Sequence, residues 1–219
     1  MHSLAFSCGP ASPLKVLCLG AHSDDIEIGC GGAILHLAKQ YPNSFFHWVV
    51  FSAEGIRAAE ALQGANLFVG AKSLKRPLIK NFRDGFMPFV GNDVKETFEG
   101  LKTIHPDVIF THNRKDLHQD HHLLAELTWN TFRDHFILEY EIPKYDGDLG
   151  QPNFFVPLDT AICQEKVRNI METFQSQHVK SWFAPETFLS LMRLRGMECN
   201  APSGYAEAFY CRKAILRND

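Results

Sequence analysis

The sequence predicts an α/β fold in which helices cover both faces of a mostly parallel sheet. Apolar runs typical of buried strands alternate along the chain with stretches of helical periodicity, and this alternation indicates a parallel sheet. The chain has 219 residues, of which 45% are hydrophobic and 21% are charged. This length and composition suit one globular domain better than two. We therefore expect a single domain over residues 1–219.

The predicted elements follow one another in regular order. Strands are predicted at residues 15–20, 45–51, 74–79, 106–111, 136–142 and 206–212. Helices are predicted at residues 32–40, 57–68, 90–104, 123–132, 159–177 and 186–197. Residues 81–88 and 143–153 are predicted loops. Three glycines lie just before or at the first helix, but the nucleotide-binding pattern G-x-G-x-x-G is absent, so they are expected to let this helix pack close to the sheet.

A dense polar cluster directly follows the first predicted strand. Residues 21–25 read A-H-S-D-D and place His22, Asp24 and Asp25 at the strand end. Three ionisable side chains at such a position are costly unless their charge is used. Aspartates also cap helices that follow strands, which is the structural alternative. We expect instead that His22 and Asp25 bind a metal ion, with Asp24 beside them as general base.

A second polar cluster, residues 112–122, follows the predicted strand at residues 106–111. In a parallel sheet both clusters lie at the same edge, where ligands bind outside the carboxyl ends of the strands. Catalytic zinc sites use about three protein ligands, and by spacing alone His118, His121 and His122 all compete to be the third. His118 and His122 have the spacing of the H-E-x-x-H metalloprotease helix, but Gln119 replaces its glutamate, which argues against a protease.

The two clusters together resemble those of a known family. Residues 21–25, continuing through the glycine-rich residues 26–32, are similar to the A-H-P-D-D motif of the PIG-L/LmbE-like deacetylases. Residues 118–121, H-Q-D-H, resemble the second motif of that family, H-x-D-H. The resemblance implies a Rossmann-like three-layer α/β/α fold with the active site at the carboxyl ends of the strands. It also implies zinc-dependent removal of the acetyl group from an N-acetylated amino sugar.

The resemblance further implies a role for each motif residue. The implied metal ligands are His22, Asp25 and His121, and the implied catalytic residues are Asp24 as general base, His118 as oxyanion stabiliser or acid, and Asp120, which orients a histidine. Ser23 stands where the family motif has proline, and we expect looser local geometry there. Substrate contacts are expected from Arg83, Asp84 and Arg195, against the alternative of surface ion pairs. The roles of His122, Tyr205 and Glu207 stay open, with His122 expected at the surface.

The charge and composition of the chain limit the classes of partner that it is expected to bind. The net charge is −3 without a sustained basic run, so no nucleic-acid partner is expected. No apolar run reaches the roughly 18 residues of a membrane span, and the N-terminus lacks the pattern of a signal peptide. Six scattered cysteines without a C-x-x-C pair fit a reduced, cytoplasmic chain. The expected partner is a small-molecule N-acetyl amino sugar, and a homo-oligomer is possible.

The sequence therefore predicts a cytoplasmic, metal-dependent N-deacetylase that hydrolyses an amide bond. The expected cofactor is Zn²⁺, with another divalent transition metal such as Fe²⁺ as the alternative. The substrate is expected to be of N-acetylglucosamine type, whether free, conjugated or nucleotide-linked. Two other functions stay open: an amidase that acts on a sugar-thiol conjugate, and a non-catalytic sugar- or nucleotide-binding protein.

Overall fold

The computed structural model describes residues 3–6 and 13–215. Its strands are β1 (Lys15–His22), β2 (Phe45–Ser52), β3 (Leu78–Ile79), β4 (Val108–His112), β5 (Phe136–Tyr140), β6 (Phe154–Pro157) and β7 (Ala206–Cys211). Its α-helices are α1 (Asp25–Gln40), α2 (Gly55–Val69), α3 (Gly91–Leu101), α4 (Gln119–Thr131), α5 (Thr160–Thr173) and α6 (Pro185–Glu198). The predicted single domain extends to both ends of the chain, which lie outside the described residues.

The strands form one sheet in the order β3-β2-β1-β4-β5-β7-β6. The first five of these strands pair in parallel, and β7 runs antiparallel to both of its neighbours, β5 and β6. The prediction of a mostly parallel sheet is confirmed. Because each parallel pair is joined through a helix or a long crossover, the parallel strands all end at one edge, and the loops that leave them meet there.

Helices cover both faces of the sheet, as predicted. The side chains of β1 alternate between the two faces: Val16 and Cys18 pack with α1, α2, α5 and α6, whereas Leu17 and Leu19 pack with α3 and α4. This period of two is what a strand buried on both sides requires. The three-layer α/β/α arrangement is therefore confirmed.

Helix α1 begins at Asp25, seven residues earlier than predicted, and includes the glycines that were expected to precede or open it. Glycine has poor helix propensity, but packing outweighs that preference here. A Cβ atom on Gly29 would lie 2.2 Å from Cδ2 of Tyr140, and one on Gly32 would lie 2.5 Å from Cδ1 of Leu158. The glycines thus let α1 approach the sheet, as expected, and the helix starts within the first motif.

The other differences from the prediction include shorter elements, such as β3, which was predicted at residues 74–79 and spans only Leu78–Ile79, one helix that begins earlier, and one strand that was not predicted. Helix α4 begins at Gln119 instead of residue 123, so most of the second motif lies in its first turn. Strand β6 was not predicted, because its four partly exposed residues at the edge of the sheet show no alternation of polar and apolar side chains. Within the described part of the chain, no helix combines the length and apolar character that a membrane crossing needs.

Candidate metal centre and active site

The two sequence motifs meet in a crevice between β1 and β4. These strands pair in register only from Val16–Val108 to Cys18–Phe110, although β1 continues to His22 and β4 to His112. The direction of chain progression also reverses here, since β2 and β3 lie on one side of β1 and β4 lies on the other. Open α/β sheets bind their ligands at such a switch point.

Three buried donor atoms converge in this crevice. His22 Nδ1 lies 3.1 Å from His121 Nε2 and 3.3 Å from Asp25 Oδ2, and the last two atoms are 3.5 Å apart. In a tetrahedral site with bonds of about 2.0–2.1 Å, neighbouring ligand atoms are separated by about 3.3–3.4 Å. The triangle matches one face of such a site, and the surrounding His and Asp side chains fit a divalent metal ion. We call His22, Asp25 and His121 the His–Asp triangle.

Carboxylates hold the two imidazoles from outside the triangle. Asp116 Oδ2 lies 2.9 Å from His121 Nδ1. His22 Nε2 lies 3.0 Å from Asp84 Oδ1 and 3.3 Å from Asp120 Oδ2. When one ring nitrogen donates to a carboxylate, the other keeps its lone pair for a metal and the ring orientation is fixed. These partners therefore direct His22 Nδ1 and His121 Nε2 into the triangle.

Asp120 is itself held by the backbone of another loop. Its Oδ2 accepts a hydrogen bond of 2.7 Å from the N–H of Gly85, and its Oδ1 accepts one of 3.1 Å from the N–H of Met87. The side chain is fully buried. Asp120 thus connects the loop after β3 to His22.

The charges in the cluster oppose the effect of burial. Burial alone would raise the pKa of Asp25, but the adjoining imidazoles hold it well below its ordinary value. Burial would lower the pKa of His22, but the carboxylates around it, that of Asp25 foremost, raise it well above its ordinary value. A metal ion that binds here displaces protons, so its affinity is expected to rise with pH.

Asp24 lies beside the triangle at the N-cap position of α1, but its side chain makes no capping hydrogen bond. This observation argues against the helix-cap alternative. The carboxyl group is buried, with Arg57 Nη2 3.9 Å from its Oδ1. Burial and the neighbouring charge of Asp25 raise its pKa, against the opposing charges of Arg57 and Lys180. A buried carboxylate with a raised pKa in a cleft is a candidate general base.

His118 occupies the N-cap position of α4 and lines the same pocket. Its Nδ1 accepts a hydrogen bond of 3.3 Å from the N–H of Asp120, so the neutral ring carries its proton on Nε2. Burial, together with the nearby His121 and His22, lowers its pKa. The ring is therefore a neutral hydrogen-bond donor near pH 7.

The pocket in front of the triangle has a volume of about 180 Å³. One wall carries Arg57, which donates to Ser23 Oγ over 3.2 Å and pairs with Asp84 over 3.1 Å. The opposite wall includes residues from two loops, at 142–146 and at 180 and 182. A contact of 3.1 Å between Tyr145 Oη and Ser181 Oγ joins these two loops. The pocket thus combines a buried polar floor with a partly aromatic rim.

The three residues that were predicted to bind substrate lie in different parts of the structure. Asp84 lines the pocket, whereas Arg83 lines an adjoining pocket of about 540 Å³, where its guanidinium stacks 3.6 Å over Phe86. Arg195 is not brought to either pocket, because its guanidinium is buried against Glu141. His122 is exposed, as expected.

Several residues of the site were not predicted from the sequence, and four of them contact the groups described above. Asp116 precedes His118 by two positions, and His112 is the last residue of β4, so their places near a motif and at a strand end were usable signals. Arg57 comes from the first turn of α2 and Lys144 from the loop after β5, and neither had such a signal. Lys144 Nζ lies 3.1 Å from Asp116 Oδ1 and so helps to hold the carboxylate that binds His121.

A family profile described as PIG-L, GlcNAc-PI de-N-acetylase, matches residues 17–132. This match covers more than half of the chain and includes both motifs. The chain belongs to the PIG-L family. The resemblance seen in the sequence is thereby confirmed, as is the expectation of an amide-hydrolysing deacetylase at the level of the family.

Solved structures share the fold at low sequence identity. The conserved protein TT1542 from Thermus thermophilus has a TM-score of 0.75 and 18% identity, with 94% of this chain and 97% of that chain covered. The N,N'-diacetylchitobiose deacetylase from Pyrococcus horikoshii has a TM-score of 0.67 and 21% identity, with coverages of 89% and 82%. GalB from Pseudomonas putida KT2440, a 4-carboxy-2-hydroxymuconate hydratase, has a TM-score of 0.72 and 18% identity, with coverages of 94% and 99%. One fold therefore serves a deacetylase and a hydratase, so the reaction must be argued from the site.

Proposed function

We propose that this protein is a zinc-dependent hydrolase that removes the acetyl group from an N-acetylated amino sugar of the N-acetylglucosamine type. The observation that carries this proposal is the convergence of the His–Asp triangle and Asp24 in one pocket. A site that only binds sugar needs no buried base beside a set of metal-ligating atoms. The donor set supports a metal-dependent reaction, and we prefer Zn²⁺ to Fe²⁺ because two imidazoles and one carboxylate form a common catalytic zinc site.

In this proposal His22, Asp25 and His121 hold the metal ion. When bound, the ion supplies an activated water and polarises the amide carbonyl. Asp24 accepts the proton of the attacking water, a role for which its burial and raised pKa suit it. His118 donates from Nε2 to the amide oxygen as negative charge develops there. As the bond between the carbonyl carbon and the nitrogen breaks and acetate forms, Asp24 passes the proton that it took from the water to the nitrogen of the leaving amine.

The substrate contacts are also part of the proposal. Arg57 and Asp84 lie on the pocket wall as a pair, with both partners able to bind sugar hydroxyls. The adjoining pocket with Arg83 would hold whatever is attached to the amino sugar, because the two pockets share Arg57 and Asp84. Arg195 is left out of the proposed contacts, since its guanidinium is engaged with Glu141. A cytoplasmic location and a homo-oligomer stay predictions.

An acetate-release screen tests the proposal. The metal-free protein, the Zn²⁺-loaded protein and the Fe²⁺-loaded protein are each incubated with free, conjugated and nucleotide-linked N-acetyl amino sugars. We expect about one ion per chain, loss of acetate release on chelation, and recovery on adding the ion back. Purified protein without stoichiometric metal, with activity that is indifferent to chelation, would overturn the proposal. Release of a larger acid from a sugar-thiol conjugate would favour the amidase alternative, and binding without turnover would favour a non-catalytic protein.

A further inference from the structure

His112 lies at the bottom of the crevice, below the metal centre. It is the last residue of β4, and its side chain is fully buried. The pairing of β1 with β4 ends at Cys18 and Phe110, so the backbone of β4 does not pair with the end of β1. The side chain of His112 fills that gap, where Ala21 of β1 donates its N–H to His112 Nε2 over 3.0 Å.

The same ring nitrogen contacts one member of the His–Asp triangle. His112 Nε2 lies 3.2 Å from Asp25 Oδ2, the oxygen that belongs to the triangle. It also lies 3.2 Å from Tyr140 Oη, whose hydroxyl donates to the carbonyl of Leu19 over 2.6 Å. Nε2 has either one lone pair, which accepts from Ala21, or one proton, which Asp25 Oδ2 can accept, so this nitrogen is engaged within the protein in both states.

The face of the His112 ring supports a second member of the triangle. The rings of His112 and His121 are stacked with centroids 3.8 Å apart and planes inclined by 22°. On its other side His121 stacks on His118, with centroids 4.5 Å apart and planes inclined by 28°. His121 is thus held between two imidazoles, while Asp116 binds its Nδ1. With its edge bound and its faces covered, the His121 ring has little freedom to turn.

We propose that His112 is a positioning residue that holds Asp25 and His121 in the geometry required for metal binding. Its ring face fixes the plane of His121, and its Nε2 lies within 3.2 Å of both the backbone nitrogen of Ala21 and Asp25 Oδ2, so the ring packs between the end of β1 and that carboxylate. The inference rests on the proposed assignment of the His–Asp triangle as the metal site. It adds a residue from β4 that contacts two of the three ligands and that neither motif contains.

Two substitutions separate the two contributions. His112→Phe keeps an aromatic ring against His121 but removes Nε2, whereas His112→Gln keeps a polar side chain but removes the stacked ring. Thr111→Val is the matched control, because Thr111 precedes His112 on β4 but bonds to Thr128 over 2.9 Å on the opposite face of the sheet. Apo-protein of each variant is titrated with Zn²⁺ against a chromogenic chelator. The absorption spectrum of the Co²⁺-loaded protein then reports the ligand geometry.

We expect each His112 variant to bind Zn²⁺ about 10- to 100-fold more weakly than the unaltered protein, as is typical when a residue that supports a metal ligand is lost. The Co²⁺ spectrum should change as well, and Thr111→Val should match the unaltered protein in both measurements. A purely structural role would lower the melting temperature and leave the dissociation constant and the spectrum of the folded protein unchanged.

Three results would overturn the inference. Unaltered Zn²⁺ affinity and Co²⁺ spectrum in both folded variants would show that His112 does not position the ligands, and should one variant fail to fold, the other decides alone. A loss of stoichiometric binding as complete as in His121→Ala would make His112 a ligand instead. Absence of metal binding by the unaltered protein would instead contradict the proposed function itself, so the two failures are distinguishable.

Discussion

Helix α1 contacts two buried polar networks that are built in different ways. Near the middle of α1, Lys166 Nζ from α5 donates to the carbonyl of Ile28 and to Glu207 Oε1, each over 2.6 Å. The two oxygens of Glu207 accept from the N–H groups of Gly32 and Ala33 over 2.8 and 2.7 Å. The ammonium group of Lys166 contacts the carboxylate of Glu207 directly, and backbone N–H and C=O groups use their remaining hydrogen-bonding capacity. We call this the Lys166–Glu207 pair.

At the N-terminus of α1 the His–Asp triangle directs three lone pairs toward one point. The carboxylates around it hold the outward nitrogens of the imidazoles, so the partners of those rings support the convergence. A closed network such as the Lys166–Glu207 pair is satisfied within the fold itself, and loss of one partner leaves a buried charge without compensation. A convergent network is stabilised by what binds at its centre, and it therefore indicates function. The comparison predicts that substitutions in the two networks affect different measurements.

The largest effect is expected for His121→Ala. This change removes one of the three convergent donors, so bound metal should fall from about one ion per chain to a small fraction, and acetate release should drop on the order of 10³-fold or more. Metal analysis of the purified variant and an acetate assay measure these effects. The unfolding free energy of the apo-protein should change far less. Full metal occupancy in His121→Ala would contradict the comparison.

Lys166→Met should instead affect stability. Removing one partner of a buried ion pair leaves an uncompensated charge and costs about 3–5 kcal/mol. Urea unfolding measures the loss, which should occur without a change in the Zn²⁺ dissociation constant. Lys39→Met is the matched control, because Lys39 on α1 forms an exposed pair with Glu165 on α5, the helix that also carries Lys166, and such pairs contribute about 0–1 kcal/mol. Equal losses in the two variants would refute the assignment of Lys166 to a stabilising network.

Glu27 is another buried polar residue of α1, and it belongs to neither of these two networks. Neither of its oxygens has a hydrogen-bond partner among the residues that the structure describes. Burial raises the pKa of this carboxyl well above its ordinary value of 4.5. The folded chain thus keeps the proton at pH values where the unfolded chain has lost it. The contribution of Glu27 to stability is complete below pH 4.5 and is lost as the pH rises toward and through its folded-state pKa.

Glu27→Gln removes this titration while keeping the shape of the side chain. We therefore expect the variant to gain stability relative to the unaltered protein as the pH rises from about 5 to about 8, with little difference at about pH 4. Urea unfolding of the apo-proteins at several pH values measures the difference. Parallel stability curves for the two proteins would show that Glu27 is not held in its protonated form.

The smallest effect is expected for Ser23→Ala, which alters the position where the family motif has proline. Ser23 is fully buried, and its hydroxyl accepts a hydrogen bond from Arg57 Nε over 3.2 Å. Loss of one such bond costs about 0.5–1.5 kcal/mol. If Arg57 contacts the substrate as proposed, KM should rise by a factor of about 2–10 with little change in kcat. A fall in kcat at constant KM would place the role of Ser23 elsewhere.

The parts of the site that could be predicted from the sequence are those whose residues lie close together within one motif. The sequence placed His22, Asp25 and His121 at strand and helix ends on one edge of a parallel sheet, and the structure brings their donor atoms within 3.5 Å. That edge follows from the alternation of strands and helices alone. The assignment of these residues as metal ligands is a proposal.

Other features depend on which elements become neighbours in space. His112 is one histidine among 11 until the divergence of β1 and β4 places it under Asp25. The start of α1 was predicted too late, because the packing of its glycines against Tyr140 and Leu158 cannot be derived from helix propensity. Arg195 was expected to contact the substrate, but the packing of α6 pairs it with Glu141, and the sequence does not reveal that packing.

The most direct test of the proposed mechanism is the comparison of metal content and turnover in Asp24→Asn. Asparagine keeps the size of the side chain but cannot accept the proton of the attacking water. We expect the variant to bind about one divalent ion per chain with unchanged affinity, and kcat for acetate release to fall about 10²- to 10⁴-fold. Normal turnover in the metal-loaded variant would contradict the role of Asp24 as general base.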